Sequence, residues 1–329
     1  MRAPRSYVTG AGGFIGSRLV RSLVSRGHDV AAFVYSRPGH NSGPEGSAPS
    51  VTVIKGDLRQ ADTIRGLEGA DYVFHLGAAV MGLTQAQFCS TNQAGTANLL
   101  AAIGRVRPPL KRFVMVSSLA AAGPSEIGRP LDETAVPQPV SHYGASKLRA
   151  EDVAWQSHSA DLPVTVLRPA AVIGEGAKDV VKLILGLARL RIALTFEGGP
   201  RFLSLVHVDD VVEALVMAAE AEAAAGNTYF ISADPPSAID EVLARSHVLI
   251  GRPPAVRLRV SRRMQYALAL ASEATAWATR SRAAFTRDKW REMAGHDWIC
   301  TAAKARRDFG WQARISVDMA LERLCRSVQ

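Results

Sequence analysis

Residues 9–16 read Thr9-Gly10-Ala11-Gly12-Gly13-Phe14-Ile15-Gly16, and their neighbours make this a turn from a strand into a helix. Arg5-Ser6-Tyr7-Val8 before it has the composition of a short strand. Leu19, Val20, Leu23 and Val24 after it recur at the spacing of one helical face. Glycine at 10, 13 and 16 leaves three backbone sites without a Cβ, so the chain can turn tightly, approach a pyrophosphate and pack the helix on the sheet. The start of that helix presents unpaired N–H groups, where a phosphate binds. A glycine trio alone is a weak signal. Strand, turn and helix in this order, with Phe14 and Ile15 opening the helix, read as a dinucleotide site.

Asp29 to Val34 supplies a second strand and completes a strand-helix-strand unit. Its end is where the ribose is read: an acid there accepts from the hydroxyls of NAD, while an arginine pairs with the extra phosphate of NADP. The sequence offers Val34-Tyr35-Ser36-Arg37 and no acid. NADP is therefore expected through Arg37, with Arg18 as a second cation and NAD kept as the alternative. Pro38 to Pro49 reads as a loop. Val51 to Lys55 is a third strand closed by Gly56-Asp57-Leu58, where Asp57 either accepts from the adenine amino group or caps the next helix.

Tyr72 to Leu76 is a fourth strand. The small residues Gly77-Ala78-Ala79 after Leu76 let a cofactor pass close to the backbone, and His75 reads as a packed strand-end histidine rather than a catalytic one. A helix from Gln87 to Val106 carries Asn92 early, and Phe113 to Val116 is a fifth strand ending in Ser117 and Ser118. Ligands of open parallel sheets bind at the carboxyl ends of the strands, so these hydroxyls fall in the crevice. His142-Tyr143-Gly144-Ala145-Ser146-Lys147 opens another helix, with Tyr143 and Lys147 four apart and stacked on one face. An ammonium beside a phenol stabilises phenolate and lowers its pKa from about 10, so that it can pass a proton. A Tyr-x-x-x-Lys pair is also compatible with a solvated helix face.

The ordered set of segments resembles the extended short-chain dehydrogenase/reductases, the group that includes sugar-nucleotide epimerases, dihydroflavonol reductases and 3β-hydroxysteroid dehydrogenases. The matching residues are Thr9 to Gly16, Gly56-Asp57-Leu58, His75-Leu76-Gly77-Ala78, Asn92 with Gly95 to Leu100, Val116-Ser117-Ser118, Tyr143 to Lys147, Leu167-Arg168-Pro169 and His207-Val208-Asp209-Asp210. The resemblance implies Tyr143 as acid/base and Lys147 as its pKa partner and ribose anchor. It implies Ser118 as the donor to the substrate oxygen, with Ser117 as fallback, and a supporting role for Asn92. Cofactor contacts are expected at Gly10, Gly13, Phe14, Ile15, Gly16, Arg37, Asp57, Leu58, Leu76, Gly77, Ala78, Lys147 and Arg168. Leu119-Ala120 replaces the Asp-Glu pair of the family's dehydratases, and Leu203-Ser204 replaces the Arg-Asp pair common in its epimerases, with Arg201 nearby but out of register.

The chain has 329 residues, 47% hydrophobic and 21% charged, enough for a large core. No stretch of eighteen apolar residues occurs and the first residues already form a strand, so neither membrane span nor signal peptide is expected, and a cytoplasmic location follows. Cys89, Cys300 and Cys325 fit no disulfide or zinc spacing and read as buried or incidental thiols; no metal is expected. The net charge of +9 is carried mostly by dispersed arginines, with only seven lysines, which argues against a nucleic-acid partner. Ten basic residues between Arg252 and Arg291 face only Glu273 and Asp288, and this reads as a solvated face before it reads as a site for an anionic partner.

The expectation is a Rossmann-type doubly wound parallel sheet with a smaller C-terminal lobe. Residues 1–170 form the dinucleotide domain, with 205–232 returning to it, and 171–204 and 233–329 form the lobe. A helix is expected from Asp179 to Leu190, another from Val211 to Ala223 capped by Asp209 or Asp210, and a long one from Met264 to Arg282. The apolar residues Met264, Leu268, Leu270, Ala271 and Trp277 of that last helix read as core, with a lid over an apolar substrate as the other reading. The chain is expected to interconvert a ketone and a secondary alcohol on an apolar small molecule, alone or as a homodimer. The alternatives are a nucleotide-sugar epimerase with retained NAD and a non-catalytic dinucleotide sensor.

Overall fold

A computed structural model describes residues 2–35, 50–82, 84–177, 186–197, 201–279, 285–293 and 295–326. Arg37, the 38–49 loop and most of the expected 179–190 helix lie outside these residues. The first half runs β1 (Arg5–Thr9), α1 (Phe14–Ser25), β2 (Asp29–Tyr35), β3 (Val51–Gly56), β4 (Tyr72–His75), α2 (Gln85–Val106), β5 (Arg112–Val116), the short α3 (Leu119–Ala122), α4 (His142–Gln156) and β6 (Val164–Pro169). Then come β7 (Ala171–Ile173), β8 (Ile192–Phe196), β9 (Phe202–Leu203), β10 (Leu205–His207), α5 (Val208–Glu220), β11 (Asn227–Ile231), β12 (Ser237–Ala238), α6 (Ile239–Ile250) and β13 (Val256–Val260). The chain closes with α7 (Arg262–Thr279), α8 (Arg287–Met293), α9 (Ala303–Phe309) and α10 (Val317–Arg326).

Seven parallel strands form the central sheet in the order β11-β6-β5-β4-β1-β2-β3. The order reverses between β1 and β4, where Thr9 pairs with His75, so the crevice for a ligand opens at the ends of these two strands. Side chains alternate between two buried faces, as a sheet covered on both sides requires. Val8, Ala32, Val34, Val114 and Val116 pack with α1 and α5 on one side. Tyr7, Ala31, Phe33, Phe113 and Met115 pack with α2 and α4 on the other. A third, smaller cluster joins Ile173 and Leu205 to Val242 and Leu243 of α6 and to Leu321 and Leu324 of α10.

Several elements depart from expectation for identifiable reasons. Helix α2 starts two residues early because Thr84 and Gln87 form a reciprocal capping box. Helix α5 starts at Val208, three residues early, because His207 rather than either aspartate is its cap, its Nδ1 accepting from the Asp209 amide at 3.2 Å. Asp210 instead accepts from the amides of Arg314 and Ile315, both at 3.0 Å, and ties the C-terminal segment to α5. Trp311, 1% exposed, joins the α1 and α5 face of the sheet, its Nε1 donating to the Asp210 carbonyl. Core packing fails for α7: Leu268 is 56% and Trp277 85% exposed, Met264 and Leu270 are exposed too, and Gln265, Ala269 and Ala276 face inward.

Candidate active site

The glycine turn is shaped by backbone contacts that admit no side chain. Gly10 has φ +67°, and a Cβ there would lie 2.8 Å from the Gly77 amide nitrogen; one at Gly16 would collide with the Gly10 carbonyl. Gly13 caps α1 with no side-chain hydrogen bond, and no acidic residue stands in the first turn. The first-turn amides at Phe14 and Ile15 therefore keep their capacity to bind an anion, which fits the pyrophosphate of a dinucleotide.

The floor of the crevice is held by a chain of hydroxyls and a histidine. His75 lies between Thr9 Oγ1 at 2.8 Å and Thr96 Oγ1 at 2.9 Å, and burial pushes its pKa down to about 3, so it stays neutral and structural. Thr9 Oγ1 also accepts from the amides of Leu76 and Gly77. Asn92, 1% exposed, accepts from the Ala79 amide at 2.7 Å and donates to the Ala79 carbonyl and to Ser146 Oγ at 2.8 Å. It fastens the segment after β4 to α4, and every polar atom of its side chain is used in doing so. Leu58 packs its side chain towards Gly77 and Gly95, where a Cβ would come within 2.6 and 2.9 Å of it.

Helix α4 can approach α3 only because residue 144 is glycine; a Cβ there would run into the Ala120 carbonyl. That approach brings Tyr143 of α4 to Ser118, the cap of α3, near enough for the serine hydroxyl to favour the ionised phenol. Ser118 is half-buried and reachable. Ser117 is buried and donates to Glu151, which removes it as a fallback. Glu151 in turn holds Arg168 at 2.6 Å, both nearly inaccessible, with the guanidinium also over the Phe230 ring. The Arg168 side chain is thus committed to an internal ion pair.

Lys147 is 3% exposed and donates to the Val116 carbonyl at 2.7 Å, at the carboxyl end of β5. Burial lowers its pKa to about 8, with Glu151 acting in the opposite direction. The expected acidification of Tyr143 is reversed: burial, then the Glu292 carboxylate, push it up to about 12, and only the Ser118 hydroxyl opposes them. Besides burial, the arrangement of charge accounts for this: the Lys147 ammonium is directed to Val116 while carboxylates of α8 stand at the start of α4.

At the ribose end, Tyr35 is 52% exposed, and Arg59 donates to its hydroxyl at 3.2 Å and to Asp57 at 2.6 Å. Sequence reasoning passed over Arg59. Its position two residues beyond the Gly56-Asp57 turn, just past the end of the strand that pairs with β2, is the signal that would have found it. Arg18 is stacked on Phe14 and engaged with Glu175 and Asp209. Ser204 stands where an epimerase commonly has part of its Arg-Asp pair; it is fully buried and bonded to the Cys300 backbone. Cys300 and Cys325 are buried free thiols, and Cys89 is half-buried.

A dinucleotide fold with a tyrosine set against a serine beside the cofactor crevice, and a buried lysine one turn on, defines an NAD(P)-dependent oxidoreductase of the extended short-chain type. The NAD dependent epimerase/dehydratase family model matches residues 6–232, and the chain belongs to that family. It is similar to 2-alkyl-3-oxoalkanoate reductase of Shewanella oneidensis, at 28% identity over 98% of this chain and 86% of that protein. It is also similar to the 4-hydroxy-2-methyl-3-oxo-4-farnesyl-3,4-dihydroquinoline-1-oxide ketoreductase of Stigmatella aurantiaca, at 28% identity over 97% and 95%. The crystal structure of gox2253 superposes with a TM-score of 0.77 at 26% identity, covering 97% of this chain and 96% of that one. No helix among the described residues is long and apolar enough to cross a membrane.

Proposed function

We propose that this chain is a ketoreductase that prefers NADP(H) and interconverts a ketone and a secondary alcohol on an apolar small molecule. The observation that carries the reading is the packing of α4 on α3 through Gly144, which sets Tyr143 against Ser118 at the carboxyl end of β5, with the buried Lys147 ammonium bonded to the Val116 carbonyl there. Two relatives named as reductases of 3-oxo compounds, matched over nearly the whole chain, support the reaction type. Val80 and Met81 support an apolar substrate: both are exposed, on the segment between Ala79, held by Asn92, and Gly82, which lies against the Phe88 ring that packs on Tyr143. Arg59 beside Tyr35, together with Arg37 from the sequence, supports NADP.

The residues divide the work as follows. The first turn of α1 would hold the pyrophosphate, with Gly10 and Gly16 giving that turn its shape, and the Lys147 ammonium would anchor the ribose. When bound, the nicotinamide supplies or accepts the hydride. Ser118 Oγ orients the substrate oxygen, and Tyr143 Oη gives it a proton in reduction or takes one in oxidation. A phenol held neutral by burial is in the protonation state that reduction needs.

The test measures NADPH and NADH oxidation with a panel of apolar 3-oxo compounds and other ketones, for wild type and Tyr143→Phe. Wild type is expected to turn over with NADPH in preference. Tyr143→Phe is expected to lose about 10²–10⁴-fold in kcat with unchanged cofactor affinity. Equal rates for the two proteins, or activity confined to a nucleotide sugar without added cofactor, would replace this reading with the sensor or the epimerase.

A further inference from the structure

The first turn of α4, which carries Tyr143, is completed from a distant part of the chain. Its own cap, Ser141, accepts from the Gly144 amide at 2.9 Å. The next two amides, of His142 and Tyr143, donate to the two carboxylate oxygens of Asp288 at 2.6 and 3.2 Å. The Ser141 hydroxyl itself donates to Glu292 Oε1 at 2.6 Å. Asp288 and Glu292 are four apart on α8, hence on one face, and are 6% and 7% exposed. Lys289 pairs with Glu292 at 2.6 Å and Arg291 with Asp288 at 3.6 Å, while Trp298 Nε1 donates to the Glu292 carbonyl. Helix α8 is therefore fixed from both sides.

We propose that Asp288 and Glu292 are positioning residues for Tyr143: the C-terminal segment completes the amino-terminal cap of the catalytic helix, sets the place of the phenol and governs the release of its proton. The inference rests on the reading of Tyr143 as the acid/base. Two buried carboxylates are favourable there because the helix N-terminus carries partial positive charge and unpaired N–H groups. They also bring negative charge to a phenol. The charged groups about Tyr143 are Asp288 and Glu292 of α8 with their partners Arg291 and Lys289, and Lys147 of its own helix. Ser118 faces it from α3 and the Phe88 ring from α2. Glu292 is the one whose charge is felt most at the phenol, after burial itself.

Glu292→Gln keeps the shape and an acceptor for Ser141 while removing the charge. Its phenol is expected to ionise about one pH unit lower, and the alkaline limb of kcat/KM for ketone reduction should move down by the same amount. Tyrosinate absorbance, with Tyr143→Phe as the blank, reads this shift without turnover. Asp288→Asn places a donor against one of the two amides. It is expected to lower kcat about tenfold with little change in KM, since a displaced acid costs rate more than binding. Hydrogen exchange in the peptide spanning residues 141–146 should quicken. Quicker exchange in Asp288→Asn with kcat intact, together with an unmoved titration in Glu292→Gln, would show a purely structural cap and overturn the proposal. If Tyr143→Phe turned over as fast as wild type, the functional reading itself would fall, a result distinct from either variant leaving tyrosine ionisation unmoved.

Discussion

Helices α4 and α7 both invert the ordinary rule of apolar side inward, and they do so in opposite ways. Helix α4 buries Ser146, Lys147 and Glu151, at 0%, 3% and 1% exposure. Each has a partner: Ser146 bonds Asn92 and the Tyr143 carbonyl, Lys147 bonds Val116, and Glu151 bonds Ser117 and Arg168. Helix α7 leaves Met264, Leu268, Leu270 and Trp277 exposed and turns Gln265 inward. Buried polar groups are tolerated when every donor and acceptor is matched, and such matched networks mark sites of chemistry. Exposed apolar groups cost little in the folded monomer, so α7 carries no comparable constraint.

The contrast is broken most forcefully at Glu151. Glu151→Ala leaves the Arg168 guanidinium buried without its counter-charge and the Ser117 hydroxyl without an acceptor. A loss of about 3–5 kcal/mol in urea unfolding is expected. A loss under about 1 kcal/mol would mean that water replaces the carboxylate and that α4 is no more constrained than α7.

A smaller effect sharpens the account of the neutral interior. His75 titrates at about 3 in the folded state against 6.5 when unfolded, so between those values the unfolded chain binds the extra proton. Stability contributed by the neutral ring is fully present above 6.5 and is lost as pH falls through the window, by about 1.4 kcal/mol per pH unit for one proton. Denaturant unfolding at pH 7 and pH 5.5 should show wild type losing roughly 1 kcal/mol more than His75→Asn. Equal losses would place the ring in contact with water.

The smallest effect belongs to α7. Leu268→Gln should change stability by no more than about 0.5 kcal/mol, as surface substitutions do. A loss of about 2 kcal/mol or more, as for a buried leucine, would show that this face is covered in solution.

What the sequence disclosed follows the same division. The first half was readable because a parallel sheet covered on both sides imprints strong periodicities and because the glycines, Ser118, Tyr143 and Lys147 are close to their own turns and strand ends. His142 to Lys147 foretold its helix, while its cap, Ser141, emerged only from the structure. Asp288 and Glu292 lie some 150 positions further on, and no local pattern connects an acidic pair in a short helix to a distant helix start. The direction of the Tyr143 shift was misread because the near cation was visible in the sequence, while the burial of the phenol and, after it, the far Glu292 carboxylate were not. Helix α7 was misread because its apolar residues spread around much of its circumference, so composition alone pointed inward.

The hydroxyl of Thr9 has a consequence for how the crevice discriminates. It engages the amides of Leu76 and Gly77 at 3.1 and 3.0 Å, and Asn92 engages that of Ala79. A molecule lying across these residues finds three of their amide donors already engaged by the protein, so contour weighs more here than hydrogen bonding to those amides. Chemical choice between one nucleotide and another then falls to the two extremities, the open first turn of α1 and the Tyr35 and Arg59 corner.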